Sequence, residues 1–422
     1  MKIGITGPIA TESIARFLSG NVGDLPDGYA GAPLLGTLIG ALLAQGHEVS
    51  AYTTDSGLSL DLEQPVVAHG DRFKIFYCPS RKHSIRPNGV RLGRLVDFFR
   101  FERRFLERTI TLDNPDVVHA HWAYEFALAA IATGKPHVVT CHDSPAQILK
   151  YIRNLYRLGR YFMARKAIRN ARCLTTVSPY MQKELAGYAA MPIKIIPNPL
   201  DEQLFVQYVS TKREPFNSGQ VHVAIVLNGW SRLKNPKPAL RAFALLKQKY
   251  PDAFLHLYGA DFGRGQMAEQ WCRRHVVPEG VVFHGRLPYW QLIESLSHAD
   301  LLLHPALEES FGMTVAEAMA LGVPVIAGHK SGAVPWVLGE GGVLVDVCSP
   351  ESIFQAMKRL ITDRSFYRSC SENGRHRACE SFSAELVAGL YYRTYLEAIQ
   401  RQSSAPLTTA SAPKESLVWR ER

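Results

Sequence analysis

Cysteine is sparse and unpatterned in this chain of 422 residues. Cys78, Cys141, Cys173, Cys272, Cys348, Cys370 and Cys379 stand apart, with no CxxC pair and an odd total, which excludes a disulfide framework and points to a reducing compartment, the cytoplasm. Long apolar runs are also missing. A membrane-spanning helix needs roughly 20 apolar residues, whereas the longest uncharged run, YAGAPLLGTLIGALLAQG, is broken by Gly, Thr and Gln and reads as a core helix. The amino-terminal MKIGITGPIA carries neither a basic region nor an apolar stretch with a cleavage site, so no signal peptide is expected and the mature chain is expected to begin here. GITGPIATES offers only Gly4 and Gly7 after the first strand, so the GxGxxG fingerprint of a nicotinamide dehydrogenase is lacking. Acidic residues are in deficit, 38 against 48 Lys and Arg. The net charge of +10 and isoelectric point near 9.2 favour a polyanionic partner: nucleic acid, a phosphorylated substrate or an anionic membrane.

What is present is a repeated strand–helix rhythm. KIGIT, a helix over 33–44, EVSAYTT, FKIFYC, a helix over 90–108, DVVHAHW and HVVTCHD succeed one another in the first half, the pattern of a parallel, doubly wound sheet. VHVAIVLNG opens a second series of the same class, with NPKPALRAFALLKQKY, FLHLYG, a helix over 266–275, VVFHG, a helix over 290–298, DLLLHP, a further helix and VPVIAG. Between them IIPNPLDEQLFVQYVSTKREPFNSGQ, rich in Pro, Asn and Ser, is the expected linker, with the boundary near Pro215. The expected organisation is two α/β domains, 1–214 and 215–384, then a helix over 385–401 crossing back to the first domain. A tail over 402–422 without periodicity is expected to be disordered.

The chemistry concentrates in DLLLHPALEESFGMTVAEAMALGVPVIAG, where a buried strand ends at Pro305, an acidic loop follows and a helix starts close to Gly312. In an open parallel sheet ligands bind beyond the carboxyl ends of the strands, and an incoming helix turns unpaired N–H groups and its positive dipole end towards an anion. Glu309 in the loop and Glu317 in the early helix are expected to point into one cleft. Beside a diphosphate, such carboxylates suit vicinal hydroxyls, Glu317 holding a ribose and Glu309 a transferred sugar.

The segment Glu309-Ser310-Phe311-Gly312-Met313-Thr314-Val315-Ala316-Glu317-Ala318-Met319-Ala320-Leu321-Gly322-Val323-Pro324-Val325-Ile326 resembles the signature of glycosyltransferase family 4, which reads roughly E-G-F-G-x-P-x-x-E-A-M-A-x-G-x-P-V-[IV]. Both carboxylates keep their places, while Ser310 and Thr314 replace the usual Gly and Pro. The resemblance implies the GT-B fold, two Rossmann-like domains facing each other across a donor-binding cleft. It further implies that the backbone at Phe311, Gly312, Met313 and Thr314 meets the donor. SRLKNPKPALRAF is similar to the family's basic segment, which clamps the donor pyrophosphate; Lys234 matches its lysine, whereas its arginine falls nearest Gly229, with Arg232 as a substitute. FLHLYGADFG, VVFHGRLPYW and HKSGAVPWVL resemble the loops that set Gly259, Gly285 and Gly332 around nucleotide and sugar. IIPNPLDEQLF resembles the P-N-G-x-D segment ahead of the interdomain crossing, with Pro199 for Gly. In the first domain, DVVHAHW resembles the strand whose histidine faces the donor sugar, and His121 fits better than His119. His142 and Asp143 are expected on the acceptor side, Ser178 matches a recurrent serine, and Gly28-Tyr29-Ala30-Gly31 stands where the family has an adjacent Gly-Gly, giving Gly31 a backbone contact.

By this resemblance Glu309, His121 and Lys234 are the catalytic residues of a retaining transferase that moves a sugar from a nucleoside diphosphate to an acceptor hydroxyl. No DxD motif is present, so no metal or other cofactor is expected, with Lys234 and a helix start carrying the charge work. RLGRLVDFFRFERRFLER and KYIRNLYRLGRYFMARKAIR set Arg and Lys among Phe, Tyr, Leu and Ile at helical spacing. Such helices either cover the sheet or lie against an anionic membrane at its cytosolic face, where a lipid-linked saccharide acceptor would be met. Nucleic acid is not expected. The alternatives are a nucleotide-sugar epimerase or hydrolase of the same fold, and a non-catalytic sugar-nucleotide-binding protein.

Overall fold

The computed structural model describes residues 1–403 apart from 30, 32, 212–215, 217, 218, 276 and 278. The boundary expected near Pro215, Ala30 of the glycine loop and the tail from 404 onward lie outside the described residues.

Apolar strands alternating with helices give two separate sheets. The first joins β1 (Lys2–Thr6), β2 (Glu48–Asp55), β3 (Val66–Gly70), β4 (Phe73–Pro79), β5 (Val117–His121), β6 (His137–Cys141), β7 (Cys173–Thr176) and β8 (Ile193–Ile195) in the order β3-β4-β2-β1-β5-β6-β7-β8. Its pairs are parallel except for β3 with β4 at one edge. The second joins β9 (Val221–Val226), β10 (Ala253–Tyr258), β11 (Val281–Gly285), β12 (Leu301–His304), β13 (Val325–Gly328) and β14 (Gly342–Val345) in the order β11-β10-β9-β12-β13-β14, all parallel. Central strands β5, β6, β12 and β13 are buried at every position, as parallel strands covered on both faces must be. The helix Pro33–Ala44 starts on proline, whose missing N–H costs nothing there, and lays Leu35, Leu38, Ile39 and Leu42 on the first sheet.

The helix expected over 90–108 exists only as Arg100–Asp113. Ahead of it the chain wraps a buried cation. The Arg81 guanidinium is 1% exposed and bonds Asp97 at 2.8 Å, Glu102 at 2.7 Å and the Leu92 carbonyl at 3.1 Å. This demand, together with Gly93 lying against the Ile85 backbone and Phe98 and Phe99 at φ of 52° and 59°, overrides helical propensity. Strands β3, β7, β8 and β14 were not among the sequence-derived elements. The last three span only three or four residues, too few to show a period.

The helix Ala384–Ser403 packs on the first sheet through Val387, Tyr391, Tyr395 and Ala398. Where the chain returns it meets the outgoing segment in a single bridge, the Leu200 N–H donating to the Phe382 carbonyl at 2.8 Å. All seven cysteines are unpaired. Among the described residues no helix is long and apolar enough to cross a membrane.

Candidate active site

The carboxyl ends of β9 and β12 each release a loop, and the two loops are tied together. The Leu307 N–H donates to the Leu233 carbonyl at 2.8 Å, and the Asn235 side-chain amide reaches the carbonyls of Pro305 at 3.1 Å and Val347 at 3.0 Å. This clasp brings Lys234 Nζ to 2.5 Å from Glu309 Oε1, while His304 Nε2 lies 3.5 Å from the same oxygen. Burial pushes the Glu309 carboxyl up, but the His304 imidazole and Lys234 ammonium outweigh it and hold the group down to about 2. Neither His304 ring nitrogen has a hydrogen-bond partner. Gly332 is the buttress: a Cβ there would come within 2.5 Å of the Glu309 carbonyl, which accepts the Ala333 N–H at 2.9 Å. Only glycine permits that approach.

Three residues after Glu309, Gly312 takes φ +95° and opens the helix Met313–Ala320. The first N–H groups of a helix have no intrahelical acceptor, and here they start on the wall of a cavity of about 710 Å³ between the two sheets. Its wall contains Lys234, Gly259, Glu309, Phe311, Gly312, Met313 and Thr314 from the second domain and Gly31, Trp122, His142 and Asn198 from the first. Glu317 is on the same helix but not in that wall. It is 6% exposed and accepts the Tyr289 hydroxyl at 3.0 Å. Burial raises its carboxyl to about 7, with the Tyr289 hydrogen bond opposing. Tyr289 itself borders an adjoining cavity of about 440 Å³ that shares Gly31.

On the first domain the two histidines of β5, of which His121 was preferred from sequence, separate. His119 is a core residue, its ring nitrogens 2.8 Å from the Tyr395 hydroxyl and 2.7 Å from Thr140 Oγ1. His121 ends β5 and is fully buried, with Nδ1 2.8 Å from His142 Nε2. His142 reaches the cavity wall, with the Trp122 ring tilted against it at 4.3 Å between centroids. His121 Nε2 and His142 Nδ1 have no hydrogen-bond partner. Burial holds His121 well below the usual imidazole range and pushes His142 down to about 3. Asp143 accepts the Tyr124 hydroxyl at 3.0 Å. Ser178 caps the helix Pro179–Leu185 and donates its Oγ–H to the Ser310 carbonyl at 2.7 Å, a bond between the domains beside Glu309.

Two paired Rossmann-like sheets, a basic loop and an acidic loop clasped at one cleft, and a helix start between them set the frame for the comparisons. The sequence model described as Glycosyl transferases group 1 matches residues 210–377, and that described as Glycosyltransferase Family 4 matches 34–204. The chain belongs to glycosyltransferase family 4. Among similar family members, N-acetyl-alpha-D-glucosaminyl L-malate synthase of Bacillus anthracis is 24% identical over 88% of this chain and 94% of its own. Sucrose-phosphate synthase from Thermosynechococcus elongatus superposes with a TM-score of 0.70 at 19% identity, over 94% of this chain and 99% of that one. Anabaena Alr3699/HepE, solved in complex with UDP-glucose, gives 0.64 at 18% identity, over 94% of this chain and all of its own. These likenesses establish the GT-B fold.

Within the family 4 frame, not every sequence-derived candidate meets in one place. Glu309, Lys234, Phe311, Gly312, Met313, Thr314, Gly259 and Gly31 share the cavity wall. His121 stands behind His142, Glu317 behind Tyr289, and Gly285 is buried off the wall. Arg232 is exposed and outside the wall. The wall's arginine is Arg286, directly after β11, and sequence reading passed over it because it took only the glycine from GRLP. His304 was missed although it lies in the same stretch as Glu309, because nothing in a strand-end histidine's sequence shows that its Nε2 comes to 3.5 Å from a carboxylate five residues on. Among the described residues no three His, Cys, Asp or Glu side chains gather so as to hold a metal ion.

Proposed function

We propose that this glycosyltransferase moves a hexose or similar sugar from a nucleoside diphosphate donor to an acceptor hydroxyl, with retention of anomeric configuration and without a metal. The observation that carries the reading is the Lys234–Glu309 pair, 2.5 Å long, beside the start of the helix Met313–Ala320 in an interdomain cavity. A carboxylate held ionised accepts hydrogen bonds from sugar hydroxyls. Its Oε1 is engaged by the ammonium, so Glu309 suits binding the sugar and not attacking it. The helix start, Lys234 and Arg286 offset the charge that grows on the departing diphosphate, where electrostatic stabilisation is worth most. His142, backed by His121, meets the sugar or the acceptor from the opposite wall. The complex of the Anabaena relative with UDP-glucose supports a nucleotide sugar as the donor class. The acceptor is a saccharide or lipid-linked saccharide of cell-surface polysaccharide or glycolipid assembly, met in the cytoplasm at the membrane face, a reading supported by the basic, aromatic segments.

The test is a thermal-shift screen with UDP, GDP, ADP and CMP and their sugar conjugates, since a ligand bound only to the native state raises stability. The selected donor is then incubated with candidate acceptors, and the product linkage is read by proton NMR, with and without chelator. A product of the same anomeric configuration as the donor, formed equally with chelator, is expected. An inverted product, or activity lost to chelator and restored by magnesium, overturns the mechanism; donor turnover without acceptor points to a hydrolase or epimerase.

A further inference from the structure

Ten of the sixteen exposed large apolar side chains among the described residues lie in two short stretches, five in 85–98 and five in 151–162. Val90, Leu92 and Val96 protrude from the loop, while Leu155, Leu158 and Phe162 form one solvent-facing stripe at helical spacing on Leu155–Asn170. The stretches adjoin. Leu95 packs so closely on Gly159 that a Cβ there would meet its Cδ1 at 2.6 Å, and Arg160 lies 5.6 Å from the Phe99 ring. Residues 150–169 hold seven Lys and Arg and no Asp or Glu, and 82–108 hold eight against three. Two of those three, Asp97 and Glu102, are taken up by Arg81. By count these segments carry +12 against +10 for the whole chain, with Arg160 paired to Glu125 and Arg91 to Asp61 from outside them.

Exposed apolar groups inside a field of one sign narrow the partner. A protein surface would match the apolar groups without needing uniform negative charge, and a nucleic acid would match the charge but offers bases to stack on aromatic rings. Seven of the ten exposed side chains are aliphatic. We propose that this face of the first domain docks on an anionic lipid bilayer, the aliphatic and aromatic groups entering the interface and the arginines meeting acidic headgroups. The face ends at the cleft. Arg160 lies 3.6 Å over the Tyr124 ring, and the Tyr124 hydroxyl donates to Asp143, the neighbour of the wall residue His142. A lipid-anchored acceptor would thus arrive beside the cavity, a corollary that rests on the transferase reading, whereas docking itself does not.

The full chain is tested by flotation with vesicles of phosphatidylcholine alone and of phosphatidylcholine with phosphatidylglycerol, at low and high salt. Binding only to the acidic vesicles, weakened by salt, is expected. The double variant Val90→Glu/Leu155→Glu changes two exposed positions and should lose about tenfold or more in binding, while its thermal shift with the selected nucleoside diphosphate stays that of the wild type. Equal binding to neutral vesicles, no binding at all, undiminished binding of the double variant, or displacement by a single-stranded oligonucleotide each overturns docking on lipid. A missing nucleoside-diphosphate shift with vesicle binding intact counts against the transferase reading alone.

Discussion

Lys234 Nζ lies 2.5 Å from Glu309 Oε1 across two loops that leave different strands of the second sheet. His304 and Lys234 together keep Glu309 ionised against its burial: its carboxyl, depressed to about 2, contributes stability that is present above the ordinary range near 4.5 and lost as pH falls towards 2. Glu309→Gln keeps the shape and removes the charge. Turnover should fall by roughly two orders of magnitude with little change in donor affinity, whereas Lys234→Ala should weaken donor binding as well. Steady-state kinetics and donor titration separate the two; unchanged kcat in folded Glu309→Gln would exclude the proposed role.

Glu317 presents the opposite case. Its carboxyl is raised to about 7 by burial, so the folded protein holds a proton that the unfolded chain has released near 4.5. Stability should therefore decline as pH rises from about 4.5 to 7, by up to about 3 kcal/mol. Glu317→Gln removes that decline, so its melting temperature should rise relative to wild type between pH 5 and pH 8. Donor affinity in the same variant tests the ribose contact expected from sequence, and should be unchanged where the carboxyl stays behind Tyr289. A parallel pH dependence of melting in both proteins would show that Glu317 is already ionised at pH 5.

Arg286 and Arg232 compete for one role. Arg286 is on the cavity wall and Arg232 is exposed away from it. Because Lys234 is already paired with Glu309, a diphosphate needs a second cation, and among the described residues Arg286 forms no ion pair. Arg286→Ala should raise the donor KM by about tenfold, as loss of one charge-assisted contact does, with Arg232→Ala close to wild type. The reverse order would restore the sequence-based choice.

What could be read in sequence follows from what period and spacing encode. The fold class was legible because β1, β2, β5, β6, β9, β10, β12 and β13 are apolar runs separated by amphipathic helices. Glu309 was legible because it lies five residues past the end of β12, where chain position nearly fixes place in space, and Lys234 because its segment resembles the family's basic loop. Burial order was not. His121 and His142 are 21 residues apart, and which one fronts the cavity depends on the register of β5 against β6. Tyr289 over Glu317 and Arg286 in place of Arg232 likewise come from packing of distant segments. The loop around Arg81 defeated a helical period because a buried guanidinium with two carboxylates outweighs propensities of a few tenths of a kcal/mol per residue.

The histidine pair gives a test that distinguishes contact with substrate from support. Burial lowers His142 to about 3, so on acidification the unfolded chain takes up a proton near 6.5 that the folded protein refuses. The site therefore costs stability progressively as pH falls from about 6.5 to 3. His142→Gln removes that cost, so the variant should lose less stability than wild type between pH 7 and pH 5. If His142 meets the sugar or acceptor, the same variant at neutral pH should show kcat reduced by at least about tenfold while its melting temperature stays close to that of the wild type. His121→Gln, acting only through the 2.8 Å contact to His142, should reduce kcat less. Full activity in His142→Gln with a marked loss in His121→Gln would mean that His121 reaches the ligand after domain closure and that His142 is the support.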